Sequence, residues 1–229
     1  MELLKGFTPV GETKQYIKAL IYGPAGSGKT RFCADAPNPI WADFESSTET
    51  LRHWPEYSHI PIKRPENVEE LKDDVKKAIK DPDVDTVVID TVTTCLEYYL
   101  RQHMNAQVKR DKYTLYESDY KYATQVFLDL FGILQLAPIN VVFIGHERIV
   151  RDATSGQITA VFPDITPRLQ QGITRLVNVV AYMEALPSNT KGVTRRLYLN
   201  RTSKVEAKNR LNIPDIYLEN TSWKEVFNA

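Results

Sequence analysis

An α/β fold with a mainly parallel twisted sheet, helices on both faces and a β-rich C-terminal end is predicted by three features of this 229-residue chain. The first is Gly23-Pro24-Ala25-Gly26-Ser27-Gly28-Lys29-Thr30, a complete G-x-x-x-x-G-K-[ST] phosphate-binding loop (P-loop) set between an apolar run and a helical one. The second is the alternation of short β-branched runs with segments of helical period. The third is Thr86-Val87-Val88-Ile89-Asp90-Thr91, a buried-strand pattern that ends on a carboxylate.

Residues 17–22 read as the strand entering the loop, and 29–35 as the first turns of a helix whose positive N-terminus faces an anion. Each loop position has a mechanical role. The glycines let backbone N–H groups turn inward around phosphates, Lys29 reaches the β- and γ-phosphates, and Thr30 offers its hydroxyl to Mg²⁺. Gly23 to Thr30, with Arg31 directly after them, are thus the candidate nucleotide-binding set, with ATP and Mg²⁺ as expected cofactors. Next come a short strand at 39–44 and another at 59–63. Residues 66–80 place Val68, Leu71, Val75 and Ile79 on one face of a helix. The 86–91 strand delivers Asp90 beside the loop as the Mg²⁺-side carboxylate. A helix at 118–136, stopped by Pro138, leads into a strand at 141–144, and strands at 177–183 and 195–199 complete the β-rich end.

The composition excludes several classes. Basic and acidic residues balance at 29 each, so the chain as a whole is not a basic nucleic-acid binder, although local patches remain possible. Cys33 and Cys95 fit neither a metal spacing nor a disulfide framework, which points to a reducing, cytoplasmic compartment. Residues 126–145, the most apolar stretch, are broken by Asp129, Gln135, Pro138 and Asn140, and the N-terminus has no apolar signal core, so neither a membrane span nor secretion is expected. One domain over 1–229 is expected, its core at about 16–210 with short extensions.

With these strand ends in place, the chain resembles the RecA-like ATPase core, and in particular the small phage ATP-binding proteins of the Sak type, which are associated with single-strand annealing and recombination. Four motifs carry the resemblance: the P-loop, Val87-Val88-Ile89-Asp90-Thr91, Trp41-Ala42-Asp43-Phe44-Glu45 and Val142-Phe143-Ile144-Gly145-His146. The resemblance implies that Glu45 activates the attacking water and that His146 senses the γ-phosphate, beside Lys29. Chemistry supports Glu45 independently, since hydrolysis needs a group to orient or deprotonate water in line with the γ-phosphate. Asp43 and Glu49 are its rivals, of which Asp43 reads as structural or part of a hydrogen-bond network, and capping the helix start after Ser46-Ser47-Thr48 is the structural alternative for Glu45.

The resemblance also implies two DNA-facing loops, at 101–117 and 147–172. The first holds Arg101, Lys109, Arg110, Lys112 and Tyr113, and six of the twelve tyrosines fall between 98 and 122. Cations beside aromatic rings suit a single strand, because the cations hold phosphates and the rings stack on any base. The second holds Arg148 and Arg151, and its length suggests a mobile loop. Residues 191–210 carry seven cations against the single acid Glu206, and the resemblance places Arg201 and Lys204 as cations acting on a neighbouring subunit's γ-phosphate. About sixteen residues precede the first core strand, too few for RecA's polymerisation domain, so annealing is expected ahead of strand exchange. The expected partners are single-stranded DNA, further copies of the chain and a single-strand-binding protein. Two other readings stay open: an ATPase acting on a protein in replication or packaging, and a small-molecule kinase.

Overall fold

The computed structural model describes residues 8–106, 114, 116–188, 192–218 and 222–227. The P-loop strand β1 (Lys18–Tyr22) lies at the centre of a nine-stranded sheet. On one side it pairs in parallel with β5 (Asn140–Gly145), followed by β4 (Thr86–Asp90), β2 (Pro39–Asp43) and the edge strand β3 (Ile62–Lys63), all parallel. On its other side lies β8 (Val179–Ser188), also parallel. Antiparallel strands β9 (Gly192–Tyr198), β10 (Lys208–Asn209) and β11 (Ile216–Leu218) complete that end. The separate strands β6 (Glu147–Arg151) and β7 (Ile158–Pro163) form a hairpin of their own. This is the predicted α/β architecture, a mainly parallel sheet with a β-rich C-terminal end.

Helices cover both faces, and that is why the central strands read as unbroken apolar runs rather than alternating ones. Leu20 and Tyr22 face a core shared with α2 (Val68–Ala78), α3 (Val92–Ala106), α4 (Glu117–Leu136) and α5 (Pro167–Leu176). Ala19 and Ile21 face the opposite core, built with α1 (Lys29–Ala34) and α6 (Trp223–Phe227). Because β1, β2, β4 and β5 run parallel, their C-terminal ends share one edge of the sheet, where open α/β folds place their ligands.

Two expectations are corrected. Arg101 lies inside α3, not in a loop: Leu96 and Leu100 are buried at i, i+4, and the same helical period carries past Arg101. Residues 147–172 hold the β6–β7 hairpin and the start of α5 rather than an unstructured loop. The hairpin closes because Asp152 Oδ1 accepts from the backbone N–H of Thr154 and Ser155, at 3.1 and 2.7 Å, and Gly156 takes φ +68°. Its outward residues Ile149 and Val150 are exposed, so hydrophobic patterning does not reveal it. Lys109, Arg110, Lys112 and Tyr113 lie outside the described residues.

Candidate nucleotide site

The P-loop leaves the C-terminal end of β1 and passes the middle of β8 so closely that a Cβ on Gly23 would sit 2.0 Å from the Met183 carbonyl oxygen. Gly28, at φ +96°, takes the left-handed conformation that lets the loop feed α1. Lys29 folds back over the loop and donates from Nζ to the carbonyls of Gly23 and Pro24, at 2.9 and 2.8 Å. It is 7% exposed and has no ion-pair partner among the described residues. Burial lowers its pKa, and Asp90 pulls it partly back. A buried ammonium held by two neutral carbonyls is suited to an anion beside it. Ser27 Oγ, buried and without a hydrogen-bond partner, is a further polar group at this loop left unsatisfied by the protein.

Asp90 ends β4 next to the loop. Its Oδ2 accepts from Ser47 Oγ at 2.5 Å, Trp41 Nε1 at 3.3 Å and Thr30 Oγ1 at 3.4 Å. Burial pushes its pKa up to about 6, reinforced by the charges of Asp43 and Glu45 and resisted by the Ser47 and Trp41 bonds. An adjacent divalent cation would hold the carboxylate ionised. Among the described residues no cluster of three or more His, Cys, Asp or Glu could cage a metal. Thr30 Oγ1 and Asp90 Oδ2, 3.4 Å apart beside the loop, are oxygen donors of the kind that would suit Mg²⁺.

Asp43 and Glu45, two residues apart, have separate tasks. Asp43 is fully buried, and its Oδ1 accepts from the N–H of Glu45 and Ser47 at 3.1 and 3.2 Å. Its Oδ2 accepts from Thr48 N and Oγ1 at 3.3 and 2.5 Å, so it is Asp43 that caps the 3₁₀ turn Ser47–His53. Asp43→Ala leaves these donors unsatisfied and is expected to lower unfolding stability by about 3 kcal/mol in a denaturant titration. Glu45 is freed from the capping role. Its Oε1 sits 2.7 Å from His146 Nε2 and accepts from Thr91 Oγ1 at 2.7 Å and from Thr94 Oγ1. Burial raises the Glu45 pKa, but the bonds from His146, Thr94 and Thr91 and the His146 charge outweigh it and leave the carboxyl at about 2. The same bond to Glu45 raises the His146 pKa.

One open cavity of about 350 Å³ gathers these groups: Gly26, Gly28, Lys29, Thr30, Arg31, Glu45, Asp90 and His146 all line it. Arg201 and Lys204 do not. Arg201 pairs with Glu206 at 3.3 Å, and Lys204 offers its carbonyl to Val161 N–H. Trp54, Arg195 and Ser47 line the cavity with no role given by the sequence motifs, and Thr91 ends one of those motifs with no role of its own. Trp54 packs its ring 3.6 Å from the Arg31 guanidinium, and Arg195 donates to the Ser27 carbonyl. Ser47 and Thr91 reach the site through Asp90 and Glu45. The i, i+3 spacing of Thr91 and Thr94 after a strand-end Asp is the one pattern that could have marked the Glu45 contacts.

Two arginines from the separate DNA-facing segments share one cavity. Arg101 of α3 and Arg148 of β6 line a second cavity of about 450 Å³ together with Tyr120 of α4, Leu96, Leu100 and Met104. Arg151, further along β6, donates to the Gly156 carbonyl and lies outside that lining. Among the described residues, no helix is long and apolar enough to cross a membrane.

The AAA domain family profile matches residues 15–211. No curated protein matches the chain. Among solved structures it is similar to the crystal structure of the RadB recombinase, at 18% identity and a TM-score of 0.45, with 82% of each chain covered.

Proposed function

The chain belongs to the AAA-domain family, and we propose that it binds and hydrolyses ATP with Mg²⁺ and acts on single-stranded DNA in recombination or strand annealing. The observation that carries the ATPase reading is the convergence of Lys29, Thr30, Asp90, Glu45 and His146 on one cavity from four separate strand ends. Lys29 and the loop N–H groups hold the phosphates, and Thr30 and Asp90 hold the metal. When bound, Mg²⁺ would supply neutralisation of the phosphate charge that grows during transfer. Trp54 offers an aromatic face on the same cavity for the base. Glu45 takes the proton of the attacking water, and His146 reports on the γ-phosphate through its contact with Glu45. Proposed as trans-acting cations, Arg201 and Lys204 serve a neighbouring copy.

Support for DNA as the substrate comes from the second cavity. Two exposed arginines stand over Leu96, Leu100 and Met104 beside Tyr120, with Glu97 and Asp164 also on the lining, and the arginines and the ring are the groups that would hold phosphates and stack a base. Thr93 lines this cavity and accepts from His146 N–H at 3.4 Å, so the cavity adjoins the hydrolytic pair. The test is ATP turnover with and without single-stranded DNA at two salt concentrations. Stimulation that fades with salt supports the reading. A rate indifferent to DNA, but raised by a protein partner, would favour the protein-directed alternative, and phosphate transfer to a metabolite would favour the kinase. Replacing Arg101 and Arg148 with alanine together is expected to weaken single-strand binding and make its log–log salt slope shallower by up to about 1.4. ATP affinity should stay unchanged in that variant, which fluorescence anisotropy and calorimetry measure side by side.

A further inference from the structure

β9 brings a third cation to the nucleotide cavity. Arg195 sits opposite Ala185 of β8 on one side and Leu218 of β11 on the other, so its backbone is fixed within the sheet. Its side chain reaches the P-loop of the same chain, where Nε donates to the Ser27 carbonyl at 3.1 Å. The approach is close enough that a Cβ on Gly28 would fall 2.5 Å from that Nε. The neighbouring Arg196 is engaged elsewhere, its guanidinium 4.4 Å from the Tyr198 ring.

Lys29, Arg31 and Arg195 thus line one cavity, and the acids there are already engaged. Glu45 is held by His146, Thr91 and Thr94, and Asp90 by Ser47, Trp41 and Thr30. Three cations against the two carboxylates Glu45 and Asp90 leave this lining with an excess of positive charge, which an anion of several charges would complement. A guanidinium has five N–H donors in a planar fork, and the Ser27 carbonyl uses one. We propose that Arg195 is a second phosphate-binding cation of the nucleotide site, supplied in cis by β9. This rests on the ATP-binding reading above and deepens it. Tethered to the loop it serves, Arg195 grips the phosphate chain whether or not the protein has assembled.

Calorimetric titration with ATP and with ADP tests this on the wild-type chain and on Arg195→Ala, Arg195→Lys and Lys29→Ala. Arg195→Ala is expected to weaken ATP binding about tenfold or more. ADP should lose less, because a cation gains more from a chain with one more charged phosphate. Arg195→Lys should recover part of the ATP affinity, since the charge survives. The deficit should be the same at low and high protein concentration, as a cis contact requires. Equal losses for ATP and ADP with a lowered melting temperature would make Arg195 a backbone pin and overturn the proposal. Unchanged ATP affinity, or a deficit that disappears as the protein self-associates, would overturn it too. ATP binding lost in Lys29→Ala but kept in Arg195→Ala overturns this inference alone. A wild-type chain that binds no ATP overturns the ATP-binding reading with it.

Discussion

Lys29→Ala is expected to reduce ATP hydrolysis by on the order of 10³-fold or more, and to weaken ATP binding about tenfold or more. The first figure reflects loss of a preorganised cation where charge develops on the transferred phosphoryl group. The second reflects loss of a charge-assisted contact in the ground state. The substitution removes a buried ammonium whose pKa is lowered by desolvation, so the folded chain sheds an unfavourable burial along with two hydrogen bonds to the Gly23 and Pro24 carbonyls. Its melting temperature should therefore stay close to the parent's. That separation matters, because a variant inactive through unfolding would say nothing about phosphate contact. Calorimetric binding and thermal melting on one preparation check both halves. Turnover at the parent rate would remove the P-loop from the mechanism.

Where a function is packed into a local run of residues, the sequence disclosed it; where it depends on sheet register, it did not. The P-loop spans eight residues and carries its strand and helix with it, so Lys29 and Thr30 could be placed before any tertiary contact was known. Asp90 was readable because a β-branched strand ending in a carboxylate has few other places to go in a parallel sheet. The division of labour between Asp43 and Glu45 is legible in outline, Asp43 as a hydrogen-bonding group and Glu45 as the group facing water, but the donors each one meets are not, since two acids at i, i+2 on a strand end look alike until the backbone turns. Only the turn at Ser46, with φ +62°, brings the Ser47 and Thr48 N–H groups onto Asp43 and leaves Glu45 facing His146. Arg195 belongs to no motif, and it lies 168 positions from Ser27; the pairing of β8 with β1 and β9 alone brings them together. The β6–β7 hairpin leaves no clear trace in the sequence because its exposed Ile149 and Val150 mimic neither a buried strand nor a polar turn.

Glu45→Gln is expected to keep ATP binding within a factor of about three and to lower hydrolysis by about 10²–10⁴-fold. The amide preserves the shape of the side chain and can still accept from Thr91, but it cannot take a proton from water. Its stability at neutral pH should fall, because the charge that His146, Thr91 and Thr94 stabilise is lost, so catalysis is separated from the capping role of Asp43 by ATP binding that survives while hydrolysis does not. The pair with His146 adds a pH signature. Glu45, with its pKa lowered to about 2, is ionised throughout the working range, and His146 is protonated to a higher pH than a free imidazole. A folded pKa below the unfolded one gives Glu45 a stabilising contribution that is complete above about 4.5 and is lost as pH falls towards 2. The raised pKa of His146 gives a contribution that is complete below 6.5 and is lost as pH rises through the folded value. Hydrolysis should move opposite to the second of these. While His146 is charged it holds the Glu45 carboxylate as an ion pair and makes it a weak base; once neutral, it releases that hold. Turnover at saturating ATP should therefore rise with pH through a midpoint above 6.5, and His146→Asn should flatten that limb while leaving ATP affinity in place. A pH profile identical in the parent and in His146→Asn would mean that the imidazole does not govern the glutamate, and the water-activating group would then have to be sought away from this pair.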